Sequence, residues 1–182
     1  MLCGIDEAGR GCLAGPLVVA GVILTKSLEG LNDSKQLSEK KREMLYEKII
    51  QNAHYEIVFT DNDTIDEIGL SLALKRSIMT IMEKLTPDET IMDGNTTFGV
   101  PHVQAIIKAD ATVPEVSAAS ILAKVSRDRY IVEQDEHFPE YGFAKHKGYG
   151  TKFHVQMIAK HGHCPLHRRS FKVKSLNQPT LF

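Results

Sequence analysis

Cysteine is scarce in this chain of 182 residues: only Cys3, Cys12 and Cys164 are present. An odd count cannot pair off completely, and no two have the CxxC spacing of a zinc site. A disulfide framework and a zinc ribbon are therefore both excluded as expectations. Long apolar runs are missing too. A membrane helix needs about 18 or more consecutive apolar residues. The longest candidate, residues 13–24, is broken by Gly15, Pro16 and Gly21 and reads instead as a buried strand. No basic stretch precedes an apolar one at the start of the chain, as a secretory signal requires. The expectation is a cytosolic protein with no membrane association. Acidic residues stop at Glu140. Eight of the 22 basic residues and none of the 23 acidic ones lie beyond it, so the first 140 residues carry −9 and the remainder +8. This polarity admits two readings, a polyanion-binding arm beside a carboxylate-rich body or simply a solvated basic surface.

The length suits a single domain with one core. Apolar, β-branched segments bounded by glycines at residues 2–5 and 17–25 predict two strands. Residues 55–60 alternate apolar and polar as a third strand, and residues 89–92 and 105–108 predict two short buried ones. Ser38 is a plausible N-cap for a helix over 39–51, with Leu45 and Ile49 facing inward. Further helices are predicted from Thr64 and Ser71 to about Leu85, over 116–134 and over 151–160. Strands come first and then alternate with helices, which predicts an α/β class with a mixed sheet.

Asp6 and Glu7 stand together at the end of the first strand, ahead of Ala8-Gly9-Arg10-Gly11. Adjacent acids at a buried strand end are unfavourable unless a positive group compensates. Mg²⁺ or Mn²⁺ would do so, because both prefer carboxylate oxygens. A solvated turn with acids at its lip is the alternative. Successive strand side chains face opposite ways, so both acids reach one ion only where the strand twists or ends. Asp93 and Asp110 close the next two predicted strands, where α/β sheets place their chemistry. Asp93 also reads as a turn residue before Gly94-Asn95, and Asp110, beside the start of an Ala-rich helix, is the favoured one. Along that helix Ser117, Ser120, Lys124 and Asp128 recur at spacings of three and four and form one polar stripe. It is either the solvent face or a surface of small hydroxyls that a substrate backbone can approach closely. Carboxylates beside a basic region fit two-metal phosphodiester hydrolysis.

Seven blocks occur in order between residues 4 and 171: Asp6-Glu7-Ala8-Gly9-Arg10-Gly11 with Ala14-Gly15-Pro16; Asn32-Asp33-Ser34-Lys35-Gln36-Leu37; Met92-Asp93-Gly94-Asn95; Lys108-Ala109-Asp110; Ser117 through Asp128; His146-Lys147-Gly148-Tyr149-Gly150-Thr151; and His167-Arg168-Arg169-Ser170-Phe171. The series resembles bacterial ribonuclease HII, of the type II ribonuclease H family. The sister type III lacks the Gly-Arg-Gly form of the first block. A non-catalytic binding module on the same fold would be expected to lose one of the acids. The resemblance implies a ribonuclease H-like fold, a central five-stranded mixed sheet flanked by helices, over residues 1–174. It implies that Asp6, Glu7, Asp110 and Asp128 bind two Mg²⁺ or Mn²⁺ ions and carry catalysis, with Asp93 adjacent but not a main ligand. Gly9, Arg10 and Gly11 are implied to recognise the ribose 2′-hydroxyl, the group that distinguishes RNA from DNA.

Lys35, Ser117, Ser120, Lys124, Arg127, Lys145, Lys147, Arg168 and Arg169 match positions lining the groove for the hybrid duplex. An aromatic ring is expected on the sugar at the RNA–DNA junction, supplied by Tyr149 or His167. The implied substrates are RNA–DNA hybrids and DNA duplexes containing ribonucleotides, cut on the 5′ side of the ribonucleotide to leave a 5′-phosphate and a 3′-hydroxyl. His161 and His163 read as surface histidines, and the protein as a monomer.

Residues 175–182 form a tail ending Gln178-Pro179-Thr180-Leu181-Phe182, which resembles the short peptides by which bacterial repair proteins bind the sliding clamp. Deleting residues 178–182 is expected to abolish capture of the protein by the clamp in a pull-down. Unchanged capture would end that assignment.

Overall fold

The computed structural model describes residues 1–31 and 37–173. Strand β1 (Leu2–Ala8) is followed by β2 (Leu17–Leu24), helix α1 (Glu39–Gln51), β3 (Ala53–Thr60), α2 (Asn62–Ile68), α3 (Leu70–Leu85), β4 (Glu89–Asp93), β5 (Val103–Ile106), α4 (Pro114–Asp135), α5 (Phe143–His146) and α6 (Lys152–His161). The five strands form one sheet in the order β3-β2-β1-β4-β5. The first three form an antiparallel meander, while β1, β4 and β5 run parallel. The mixed sheet is therefore as predicted. No helix among the described residues is long and apolar enough to cross a membrane.

Alternation along the central strands divides the core. Val18, Ala20 and Val22 of β2 face α1 and α4, meeting Leu45, Ile49, Ile121 and Leu122. Leu17, Val19 and Ile23, with Cys3 and Ile5 of β1, face α3 and pack on Leu74, Ile78 and Ile81. Each of these large aliphatic side chains contributes roughly 1.5–3 kcal/mol on burial. A third cluster, built on Tyr141, Phe143, Ile158 and Leu166, joins the segment after α4 to Ile131 of α4 and to Ala14.

Local signals account for the helix starts. The Ser38 hydroxyl accepts from the Lys41 N–H, the Asp61 carboxylate from Thr64 and the Thr151 hydroxyl from His154. The long α4 begins with Pro114, whose missing N–H costs nothing in a first turn. Two of the boundaries that differ from expectation bear on the acids. Strand β1 continues through Asp6 and Glu7 to Ala8, because those residues pair with Ala20, Val19 and Val18 of β2. Strand β5 ends at Ile106, and Asp110 sits beyond it in a 3-10 turn over Ala109–Ala111 entered through left-handed Lys108.

Helix α4 lies so close to β1 at Gly4 that a Cβ there would meet the Glu115 carbonyl carbon and the Val116 nitrogen at 2.2 Å. This contact sets the height of α4 over the strand that carries Asp6. Gly4→Ala is therefore expected to destabilise the fold by about 1–3 kcal/mol, read as a lowered midpoint in denaturant unfolding.

Candidate active site

The C-terminal ends of the parallel strands lie at one edge of the sheet, and the connections leaving β1 (to β2) and β4 (to β5) run in opposite directions there. Such a switch point opens a crevice. A cleft of about 240 Å³ occupies it, lined by Asp6, Glu7, Ala8, Gly9, Arg10, Gly11, Arg42, Asp93, Ser120, Lys124 and Tyr149. Strand parity places Asp6 on the α4 side, while Glu7 shares the parity of Ile5. Both nevertheless reach the cleft, because it lies off the strand's end.

One carboxylate oxygen from each of Asp6, Asp93 and Asp110 lies within 4.8 Å of the others. Asp6 and Asp110 are buried, at 6% and 3% exposure. Burial, and then the neighbouring Glu7, push Asp6 from the ordinary 3.8 up to about 8. Its partial compensation comes from the Glu7 N–H, which donates to Oδ1 at 2.7 Å, and from the Ser120 hydroxyl. A group of hard oxygen donors that cannot all ionise in isolation fits a divalent cation. Asp93 is thus closer to the centre than its turn-like sequence context implied. Its Oδ1 also accepts the Ala109 N–H at 2.9 Å and so fixes the turn on which Asp110 sits.

The polar stripe of α4 is not a solvent face. Ser117 and Ser120 are buried, Ser120 against Asp6 and Ser117 in a small crevice with Asp110. Lys124 lines the main cleft, and its Nζ holds Asp128 at 2.9 Å one turn further on. Asp128 is therefore an acid ion-paired at the margin, outside the three clustered oxygens. Glu7 faces Arg10, 3.6 Å away, and the Arg10 guanidinium lies 5.4 Å from the Phe98 ring centroid. Arg42 is a cleft residue that sequence reasoning missed; nothing in its helical context distinguishes it from the solvated lysines beside it.

Three predicted groove residues stand elsewhere. Arg127 is 1% exposed and donates from Nε to the Pro16 carbonyl (2.9 Å), from Nη2 to Ala14 (2.9 Å) and from Nη1 to Lys147 (2.7 Å). Arg168 is equally buried and donates to the Gly15 carbonyl at 3.0 Å and the Arg10 carbonyl at 3.2 Å. Both brace the loop that follows β1 from beneath, so neither is free to meet a phosphate. Gly9, at φ 88°, lies over this brace, and a Cβ on it would fall 2.1 Å from Arg127 Nε. His167 is 1% exposed, with both ring nitrogens engaged by His154 and the Cys164 N–H. It presents no face to a substrate. Tyr149, 42% exposed on the cleft wall with Lys124 Nζ 5.6 Å from its ring centroid, does. Lys145 and Arg169 are exposed and Lys147 is partly so, whereas Lys35 lies outside the described residues, as does the tail over 178–182. His161 and His163 are on the surface.

A sheet of this order, with carboxylates gathered at the ends of its parallel strands, defines a nuclease of the ribonuclease H-like fold. The family model described as Ribonuclease HII matches residues 3–174. Relatives named ribonuclease HII include those of Sulfurovum sp. (strain NBC37-1), 55% identical over all of this chain and 96% of its own, and of Aliarcobacter butzleri (strain RM4018), 57% identical over 97% of this chain and 93% of its own. Among solved structures, the ribonuclease HII in the PCNA:RNase HII complex from Archaeoglobus fulgidus superposes with a TM-score of 0.84 at 33% identity, covering 100% of this chain and 98% of that one. The ribonuclease H2 from Pyrococcus horikoshii OT3 does so with 0.79 at 30%, covering 94% and 93%. The chain belongs to the ribonuclease HII family, metal-dependent endonucleases that degrade the RNA of RNA–DNA hybrids.

The raised Asp6 has a thermodynamic consequence. The folded, metal-free protein holds a proton that the unfolded chain releases near pH 4, so the stability linked to it is complete below that pH and is lost as pH rises towards 8. A divalent cation held by Asp6 would displace the proton and would therefore stabilise the fold more at high pH. The melting-temperature increment produced by a fixed Mn²⁺ concentration is expected to grow from pH 5 to pH 8. A pH-independent increment would contradict the assignment of Asp6 as a ligand.

Proposed function

We propose that this protein incises DNA duplexes on the 5′ side of an embedded ribonucleotide, as well as cutting longer hybrids, and leaves a 5′-phosphate and a 3′-hydroxyl. The observation that carries the reading is the shared cleft, in which the carboxylates of Asp6 and Asp93 face the Gly9–Gly11 loop and the Tyr149 ring. Asp6, Glu7, Asp110 and Asp128 would hold two Mg²⁺ or Mn²⁺ ions, with Asp93 in reserve beside them. Such ions lower the pKa of water and neutralise charge building on the phosphate.

The protein's own groups place the substrate. Gly9 is glycine for the sake of its own fold, whereas a Cβ on exposed Gly11 would meet nothing within 4 Å. Packing does not require glycine at position 11. Close approach of a ribose does, with backbone groups of Gly9, Arg10 and Gly11 exchanging hydrogen bonds with the 2′-hydroxyl. Lys124 and Arg42 stand where sugar-phosphate oxygens would pass, and contacts of this kind position a duplex without reading its sequence. Of the two rings considered, Tyr149 is the one available to pack on the sugar at the RNA–DNA junction. The 2′-hydroxyl is a recognition handle and not the nucleophile. For the C-terminal peptide, the archaeal relative solved with PCNA supports the clamp-binding reading. The protein is read as acting as a monomer.

The test is a labelled DNA duplex carrying one ribonucleotide, incubated with Mg²⁺, Mn²⁺ or EDTA. A metal-dependent cut 5′ of the ribonucleotide is expected. Asp110→Asn, which removes a charge at constant size, is expected to lower cleavage by at least about 100-fold even at saturating Mn²⁺ while keeping the melting profile of a folded protein. Full activity in that variant would refute the ligand assignment.

A further inference from the structure

His146, His154 and His167 are all buried, at 9%, 0% and 1% exposure, in a cluster otherwise made of Tyr141, Phe143 and aliphatic groups. Each ring is hydrogen-bonded at both nitrogens, and the partners dictate the proton positions. The Cys164 N–H donates to His167 Nδ1 at 2.9 Å, so the His167 proton is on Nε2. His167 Nε2 lies 3.0 Å from His154 Nε2, which must accept, so the His154 proton is on Nδ1. That nitrogen lies 2.9 Å from the Tyr149 carbonyl and donates to it. In parallel, the Gly148 N–H donates to His146 Nδ1 at 3.2 Å, and His146 Nε2 donates to the Tyr141 carbonyl at 2.9 Å. The rings of His146 and His154 stack with centroids 4.3 Å apart.

We propose that His154 and His167 are positioning residues: His167 fixes the tautomer of His154, and His154 thereby fixes the backbone of Tyr149, the ring that forms the wall of the catalytic cleft. This rests on the reading of Tyr149 as the ring that meets the substrate sugar. Tyr149 needs such fixing. It follows two consecutive left-handed residues, Lys147 at φ 53° and Gly148 at φ 82°, the first of which is not glycine. Its N–H is held by the His146 carbonyl at 2.9 Å, and its own carbonyl accepts from Thr151 at 2.8 Å as well as from His154. A packing role alone would be served by phenylalanine or leucine, without buried nitrogens that each need a partner. If His167 no longer donated, His154 could shift its proton to Nε2. Its Nδ1 lone pair would then face the Tyr149 carbonyl and repel it. Burial keeps both rings neutral, His154 and His167 each being pushed down to about 4, so the relay stays locked across the neutral range.

The experiment is steady-state cleavage of the single-ribonucleotide duplex by His167→Phe, His167→Gln, Tyr149→Ala and the double variant His167→Phe/Tyr149→Ala. His167→Phe fills the space and removes the donor. It is expected to raise KM about tenfold, the order of one lost hydrogen bond, with kcat within about twofold. His167→Gln, whose amide again donates, is expected to restore KM to within about threefold of the parent. In the Tyr149→Ala background the His167→Phe penalty is expected to vanish. A penalty that persists there in full overturns the positioning role even if Tyr149→Ala itself raises KM. If Tyr149→Ala leaves KM unchanged, it is the assignment of Tyr149 as the sugar-contacting ring that fails, and the proposal with it. Should His167→Phe not fold, ¹⁵N spectra of the histidine rings in the parent protein at pH 7 decide. Protons on Nδ1 of His154 and Nε2 of His167 are expected, and any other tautomer or a charged ring overturns the proposal.

Discussion

Two guanidinium groups, buried and without a carboxylate in ion-pair range among the described residues, hold the active site together. Arg127, from the middle of α4, and Arg168, from near the end of the chain, donate to the carbonyls of Arg10, Ala14, Gly15, Pro16 and Lys147. An isolated buried charge is costly. Here carbonyl dipoles solvate it, and burial lowers Arg168 only to about 10, so it stays ionised at neutral pH. The loop between β1 and β2 has no regular secondary structure of its own to satisfy these carbonyls. The two arginines do so, and in doing so they tie three distant parts of the sequence to one surface.

The same loop borders both charges: the two guanidiniums bond its carbonyls, and its Gly9–Gly11 segment lines the cleft with Asp6 and Asp93. Acids alone would repel one another and the anionic backbone of any nucleic acid. Their arrangement fits a divalent cation, and the burial and the neighbouring Glu7 that push Asp6 up to about 8 are the forces such a cation would offset. Lys124 adds a local counterion, pairing with Asp128.

Much of the fold was legible in the residue order. Alternation and glycine boundaries placed the five strands, and an Ala-rich run without Gly or Pro placed α4. The stripe of Ser117, Ser120, Lys124 and Asp128 left two interpretations open, because three-and-four spacing describes a face without saying what it faces. The burial of Ser117 and Ser120, the latter against Asp6, excludes the solvent face. Arg127, Arg168 and His167 show the opposite limit. Basic residues near a nucleic-acid site suggest contacts with the duplex, but these three point into the protein, where the arginines donate to backbone carbonyls from elsewhere in the chain and His167 bonds the His154 ring and the Cys164 N–H.

The sequence by itself determined the α/β class and the family, because strand and helix periodicity is local and the motifs are contiguous. Tertiary structure alone decided which acids share a centre. Asp93 joins Asp6 and Asp110 because β1 and β4 are parallel neighbours with their ends in register, and Asp128 stands at the margin because α4 carries it one turn past Lys124. It alone also decided that Tyr149 rather than His167 faces the cleft. Side-chain burial depends on residues more than a hundred positions away, such as the Leu13 carbonyl that receives the Arg168 N–H, and no local pattern encodes that distance.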